Sequence, residues 1–294
     1  MHLKIGTRGS RLAMAQSERV AGMIRKSGHE VELSIITTLG DTKDGVPLHE
    51  IGGQGVFVRA LDEAILSGSI VAAVHSMKDI PTRRPSGLCT CAILERDSPA
   101  DFMVHSVPEE AIRVIGTSST RRKAQLMRNW KGSDVRQLRG NVDTRLRKLS
   151  EGLYDAIVLA EAGIQRMSLE VQGTRLPPEQ FVPSPNQGTI AVVCRDDPAF
   201  TDVLSALDHP ETRDDIEIER AVMEEIGGGC YTPQGIYCRG GHLTGEILSL
   251  DGQRQVRIEE EIESLDQARE CGRLLKAEGA DLIREAFTKL RLSE

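Results

Sequence analysis

Arg113-Val-Ile-Gly-Thr-Ser-Ser-Thr-Arg-Arg-Lys-Ala-Gln-Leu126 reads as a short strand, a polar turn over Thr117 to Thr120, and the opening turns of a helix. A strand follows at Val135 to Leu138, a helix at Asn141 to Ser150 and a strand at Asp155 to Leu159. This βαβαβ alternation predicts a parallel sheet with helices on both faces. The same stretch is strongly basic. From Arg113 to Lys148 there are eleven Lys and Arg against Asp134 and Asp143, a local charge of +9 in a chain whose net charge is −7. Charge gathered against the overall sign points to an anionic partner. A solvated helix face is the alternative, and the position of the charge weighs against it. Arg121, Arg122 and Lys123 fall in a first helical turn, facing the positive end of the helix dipole. Backbone N–H groups there, with hydroxyls and guanidinium forks beside them, suit a carboxylate or phosphate.

Working outward, 294 residues predict two or three domains, and 39% hydrophobic with 28% charged residues is ordinary for a globular protein. The start, His2-Leu-Lys-Ile-Gly6, is no secretory signal, and no apolar run approaches the ~18 residues that span a bilayer. A cytoplasmic protein with no membrane partner is expected. The six cysteines, Cys89, Cys91, Cys194, Cys230, Cys238 and Cys271, are then reduced thiols. Cys89 and Cys91 fall on one face of a strand with no further ligand nearby in sequence, so packing is favoured over a metal site.

Leu3 to Gly6 predicts a first strand, and Ser10 caps a helix from Arg11 to Ser27. Thr7-Arg8-Gly9-Ser10 between them is a second strand-to-helix turn with an arginine and hydroxyls, which makes two walls of one anion site. Val31 to Thr37 alternates as a strand, Thr38 to Gly55 is a long Gly-rich loop whose length favours a lid or binding loop over a plain connection, and Phe57 to Leu66 reads as a helix. Ile70 to Val74 is a continuous apolar strand ending in His75-Ser-Met-Lys-Asp79, and open α/β sheets place ligands at such carboxyl ends. Asp79 is therefore a candidate catalytic carboxylate, with a surface ion pair to Lys78 as the alternative. Leu88 to Leu94 is a strand, Asp97 to Asp101 marks a crossover into a second domain, and Thr189 to Cys194 returns the chain to the first. From Glu211 an acidic helix leads to Gly227-Gly-Gly-Cys230, then three strands and one helix from Leu265 to about Leu290, an α+β arrangement. Glycines before Cys230 and Tyr231-Thr-Pro233 after it present this thiol on a loop tip, where a nucleophile or covalent anchor belongs, with a helix stop followed by an incidental cysteine as the alternative.

Seven segments, in order, closely resemble the porphobilinogen deaminase (hydroxymethylbilane synthase) family. They are Gly6-Thr-Arg-Gly-Ser10, Gly52-Gly-Gln-Gly-Val-Phe-Val58, His75-Ser-Met-Lys-Asp79, Gly116-Thr-Ser-Ser-Thr-Arg-Arg122, Leu138-Arg-Gly-Asn-Val-Asp-Thr-Arg-Leu146, Asn186-Gln-Gly188 and Glu225-Ile-Gly-Gly-Gly-Cys230. The resemblance implies two doubly wound α/β domains like those of type II periplasmic binding proteins and a small α+β third domain. The boundaries it suggests are 1–95 with 186–208, 99–184, and 210–294. It implies a dipyrromethane cofactor held by a thioether to Cys230, and condensation of four porphobilinogens, each deaminated through a cationic azafulvene, into a linear tetrapyrrole. By motif, Asp79 is catalytic. Lys78, Ser119, Arg121, Arg122 and Arg145 hold carboxylates of the cofactor, while Arg8, Ser10, Arg139 and Arg145 hold those of the substrate. The family commonly has lysine where Gln54 stands and glycine where Asn186 stands.

A non-catalytic binding protein would have no use for Cys230. A nucleic-acid partner is not expected, since one Trp, three Tyr and five Phe give little stacking surface and the net charge opposes it. A monomer without metal is expected.

Overall fold

The computed structural model describes residues 1–38, 58–82, 84–227 and 231–291. In chain order the elements are β1 (His2–Thr7), α1 (Arg11–Lys26), β2 (Glu30–Ile35), α2 (Arg59–Leu66), β3 (Ala72–Ser76), β4 (Leu88–Ile93), β5 (Asp101–His105), β6 (Val114–Gly116), α3 (Thr120–Asn129), β7 (Asp134–Arg136), α4 (Val142–Ser150), β8 (Ala156–Ala160), α5 (Glu161–Arg166), β9 (Gly173–Leu176), β10 (Ile190–Arg195), α6 (Pro198–Leu204), α7 (Pro210–Ile226), β11 (Gln234–Arg239), β12 (His242–Leu248), β13 (Gln255–Glu261), α8 (Leu265–Glu278) and α9 (Ala280–Arg291). The Gly-rich stretch 39–57 and Cys230 lie outside the described residues.

The chain divides into two compact units. The first (Met1–Asp97, Gln165–Ser168 and Gly188–Arg213) holds a sheet of order β2-β1-β3-β10-β4. The second (Ser98–Ile164, Leu169–Gln187 and Asp214–Glu294) holds a sheet of order β7-β6-β8-β5-β9 and a separate antiparallel sheet β11-β12-β13. The two five-stranded sheets have the same topology. Each starts with three parallel strands, the first in the middle, and then accepts one strand that arrives from the other part of the chain and runs antiparallel: β10 against β3 and β4, β5 against β8 and β9. The sheets are thus mixed where the βαβαβ pattern predicts a parallel one. The pattern covers only the right-handed βαβ run, and β5 and β9 are short strands outside it.

Residues of β8 show how fully its sheet is covered. Ala156 and Val158 enter one core with Met103, Ile115, Leu126 and Phe181, while Ile157 and Leu159 enter the opposite one with Val104, Leu138 and Leu149. Such alternation between two apolar faces is what a continuous apolar run encodes. In the first unit Leu3, Ile5, Val20, Ile24, Val74 and Val192 pack together. Cys91 and Cys194 belong to that core, and Cys89 lies with its Sγ 3.6 Å from that of Cys194; burial, then Cys194, pushes the Cys89 thiol up to about 12. A thiol so placed is a packing group.

One long closing helix is expected from the sequence, whereas two are found, divided at Gly279, which terminates α8 with its N–H donated to Leu275 O. Glycine costs a helix interior about 1 kcal/mol, which favours a break there.

Asn186 has φ 64, in the left-handed region. Such a backbone favours glycine, and asparagine is a tolerated substitute. The side chain gains little. Asn186 is buried, and its Nδ2 and Oδ1 find no protein partner among the described residues. Asn186→Gly should relieve both the left-handed strain and the orphaned amide, raising stability by about 1 kcal/mol in urea unfolding.

His75, at the end of β3, is buried and held neutral: burial, with Arg84 and Arg8 adding repulsion, lowers its pKa to about 3. Because the unfolded imidazole titrates near 6.5, the unfolded state binds the extra proton between the two values. Stability should fall as pH drops from 6.5 towards 3, by about 1.4 kcal/mol per pH unit. The contribution is isolated by comparing the parent with His75→Gln, whose stability should lack this component.

Candidate active site

Both sheets build the same turn at the same place. β1 and β6 are the middle strands of the parallel runs, and each ends in Gly-Thr before a helix that returns to the neighbouring strand. A Cβ on Gly6 would lie 2.3 Å from Ile70 Cδ1, and one on Gly116 2.8 Å from Tyr154 Cδ1, so glycine is what lets side chains close over the strand ends. Ser10 then caps α1 by accepting from Ala13 N at 3.3 Å, and Ser119 caps α3 by accepting from Arg122 N at 3.3 Å. Neither helix has an acidic residue in its first turn. Both N-termini thus keep their positive potential for a ligand.

In the first unit the loops after β1 and β3 leave in opposite directions, the switch point where open α/β sheets bind ligands. A cavity of about 70 Å³ opens there, with Arg8, Ser10, Gln16, His75, Ser76 and Asp79 as its polar lining. This admits a carboxylate and a few waters. Gln16, buried on α1, donates from Nε2 to Ser76 Oγ at 2.9 Å and ties the helix to the strand end. Asp79 closes a single 3-10 turn, Met77–Asp79, and it and Lys78 are exposed. Three residues proposed from the sequence, Arg8, Ser10 and Asp79, therefore share one cavity.

In the second unit Arg121 and Arg122 are buried, not solvated. They converge on Asp101, which is fully buried at the head of β5. Arg121 Nη2 donates to Oδ2 at 2.8 Å, and Arg122 donates to Oδ1 from Nη2 at 2.6 Å and from Nε at 3.1 Å. Backbone carbonyls take further donors, Val182 O from Arg121 Nη1 at 2.8 Å and Val158 O from Arg122 Nη1 at 3.0 Å. Burial alone would raise the pKa of Asp101, but the two guanidiniums outweigh it and hold the carboxyl well below the usual range. Much of the charge misplaced at the start of α3 is thus matched from inside. Sequence reasoning missed this acid, although an Asp opening the apolar strand Asp101-Phe-Met-Val104 is itself a sign of a buried ion pair.

Arg145, on α4, is different. Its Nε donates to Gly140 O at 2.8 Å, and it has no acidic partner among the described residues. Burial, then the nearby Arg122, push its pKa down to about 10. A desolvated cation beside another cation gains from an anion, so this donor set fits a group bearing carboxylates. Arg139 stands on the loop before α4; Gln137, with its amide oxygen turned to it, accepts from Nε at 3.0 Å and Nη2 at 2.8 Å. Ser119, Arg121, Arg122 and Arg145 come together, while Cys230 and Gln54 fall outside the described residues.

Comparison with known proteins agrees with this chemistry. Residues 3–202 match the family described as "Porphobilinogen deaminase, dipyromethane cofactor binding domain", and residues 214–280 match "Porphobilinogen deaminase, C-terminal domain". A probable porphobilinogen deaminase of Methanosarcina acetivorans is 49% identical, over 97% of this chain and 95% of that protein. One from Archaeoglobus fulgidus is 43% identical, over 95% of this chain and 99% of its own length. Among solved structures, an ancestral cationic amino acid solute binding protein, AncCDT-1, is similar at 12% identity and TM-score 0.45, covering 72% of this chain and 90% of that one. The cofactor of such a chain is dipyrromethane. With family matches covering most of its length and close relatives along nearly all of it, the chain belongs to the porphobilinogen deaminase family.

Proposed function

We propose that this chain performs the family's reaction, the head-to-tail condensation of four porphobilinogens with loss of ammonia into hydroxymethylbilane, with Asp79 as the charged group at the reacting centre and Cys230 as the covalent anchor. The carrying observation is the repeated acid-free helix start, with Arg8 and Ser10 after the middle parallel strand of one sheet and Ser119, Arg121 and Arg122 after that of the other. Every ring of substrate, cofactor and growing chain bears an acetate and a propionate. Guanidinium forks and helix N-termini are the groups that bind these most strongly. Lys78, Ser119, Arg121, Arg122 and Arg145 take cofactor carboxylates, and Arg8, Ser10, Arg139 and Arg145 take those of the substrate.

Dipyrromethane, when bound, supplies the free pyrrole α-carbon on which the chain grows. Asp79 has the other role. Loss of ammonia from porphobilinogen leaves positive charge shared with the pyrrole nitrogen, and a fixed carboxylate stabilises that charge more than the neutral ground state. Its place in one cavity with Arg8 and Ser10 supports the assignment, because those groups position the carboxylate arms of the ring on which the charge develops.

The working protein is a monomer of three domains, 1–95 with 186–208, 99–184, and 210–294; three separate sheets support the division. Among the described residues no helix is long and apolar enough to cross a membrane. The five cysteines among the described residues are free thiols, which suits the reducing cytoplasm.

Intact mass spectrometry tests the anchor. The purified parent should carry an adduct of two linked pyrroles, and Cys230→Ser should return to the bare-chain mass while Cys89→Ser and Cys238→Ser keep the adduct. An adduct surviving Cys230→Ser would overturn the assignment. For Asp79, single-turnover kinetics with porphobilinogen after the adduct is confirmed should show Asp79→Asn slowed at least ~100-fold, with Asp79→Glu retaining part of the rate. Parent-like turnover in Asp79→Asn would remove the carboxylate from the mechanism.

A further inference from the structure

Asp101 belongs to no motif of the site, yet its carboxylate accepts side-chain donors from three residues. Besides Arg121 and Arg122, Gln187 donates from Nε2 to its Oδ1 at 2.9 Å, and the same nitrogen lies 2.8 Å from Pro99 O. Gln187 and Asp101 are both buried, so the carboxylate is held from the strand it opens and from the segment before β10. Arg121 and Arg122 are successive residues on α3 and leave the helix about 100° apart. They reach one carboxylate only because it lies under the first turn, and each fork is then fixed by a second acceptor, Val182 O or Val158 O.

We infer that Asp101, braced by Gln187, is the positioning residue of the cofactor-binding arginines, setting both their geometry and the charge of the group. With Glu246 matched by Arg128 and Arg257, the three cations Arg121, Arg122 and Arg145 against Asp101 leave +2, the charge that the acetate and propionate of a single pyrrole ring neutralise. Without Asp101 the excess would be +3, in a place where Arg122 already disfavours the charged form of Arg145. Two long flexible side chains are thus already fixed before a ligand arrives, so less order has to be imposed when it does.

The inference rests on the assignment of these arginines to ring carboxylates, and its test separates the two. The full-length parent, Asp101→Glu, Gln187→Leu and Val222→Ala are prepared without cofactor, then given preformed hydroxymethylbilane, and the rate of adduct formation is read by intact mass. Asp101→Glu keeps the charge but moves it by one methylene. Gln187→Leu removes the brace and changes no charge. Val222→Ala opens the core of the third sheet, far from any arginine of the group in sequence, and serves as the control for lost stability. Loading should slow at least tenfold in Asp101→Glu and Gln187→Leu, while Val222→Ala loads like the parent at a comparable loss of melting temperature. Parent-like loading in Gln187→Leu, or equal slowing in Val222→Ala, would overturn the positioning role even if Asp101→Glu fails to fold. A parent that never acquires the adduct would instead overturn the functional assignment beneath it.

Discussion

Two adjacent arginines on the first turn of α3 are held against one fully buried carboxylate, and the second unit is arranged to make that tolerable. Removing one member of such a cluster leaves an uncompensated buried charge and costs ~3–5 kcal/mol. β5 therefore has to begin at Asp101, α3 has to start directly over it, and the carbonyls of Val158 and Val182 have to face it. At the far end of the same helix Arg128 pairs at 3.2 Å with Glu246, a buried acid of β12 that also lies 3.6 Å from Arg257. One helix is thus pinned at both ends by acids from different sheets of its unit, and its ligand-facing start inherits that rigidity.

The shared topology of the two five-stranded sheets explains why anion-binding chemistry recurs. In each, the middle strand of the parallel run leads through Gly-Thr and a serine cap into a helix free of early acids. The physics is the same at both starts: unsatisfied N–H groups and the dipole favour an anion, and a guanidinium adds the directed charge. The two differ in how that charge is supported. Arg8 is half-buried beside a cavity, whereas Arg121 and Arg122 are enclosed with an acid of their own.

His75 shows the complementary constraint on the Asp79 side. A protonated imidazole beside Arg8 and Arg84 would add a third cation, and burial suppresses it, so pairing with carboxylates is left to the arginine and the helix start. Two thiols of the same sheet are inert as well: burial raises the pKa of Cys89, and a hydrogen bond with Cys91 followed by burial raises that of Cys194.

Periodicity, glycine and capping residues were local signals, and they sufficed for α1, β3, α3, α4 and β8, for the cap Ser10, and for the grouping of arginines near residue 121. Local physics dictates these features, since an apolar run must be buried and a serine before a helix finds the orphan N–H groups whatever the rest of the chain does. What needed the tertiary structure was everything set by strands arriving from elsewhere. The antiparallel direction of β5 and β10, the left-handed backbone of Asn186 and the enclosure of Arg121 and Arg122 by Asp101 depend on segments 20 to over 100 residues apart meeting. A helix with three cations in its first turns looks the same in sequence whether those cations face water, a ligand or a buried acid. Only the packing of β5 beneath α3 decides among them, because the energy of a charge is set by what surrounds it and not by its neighbours along the chain.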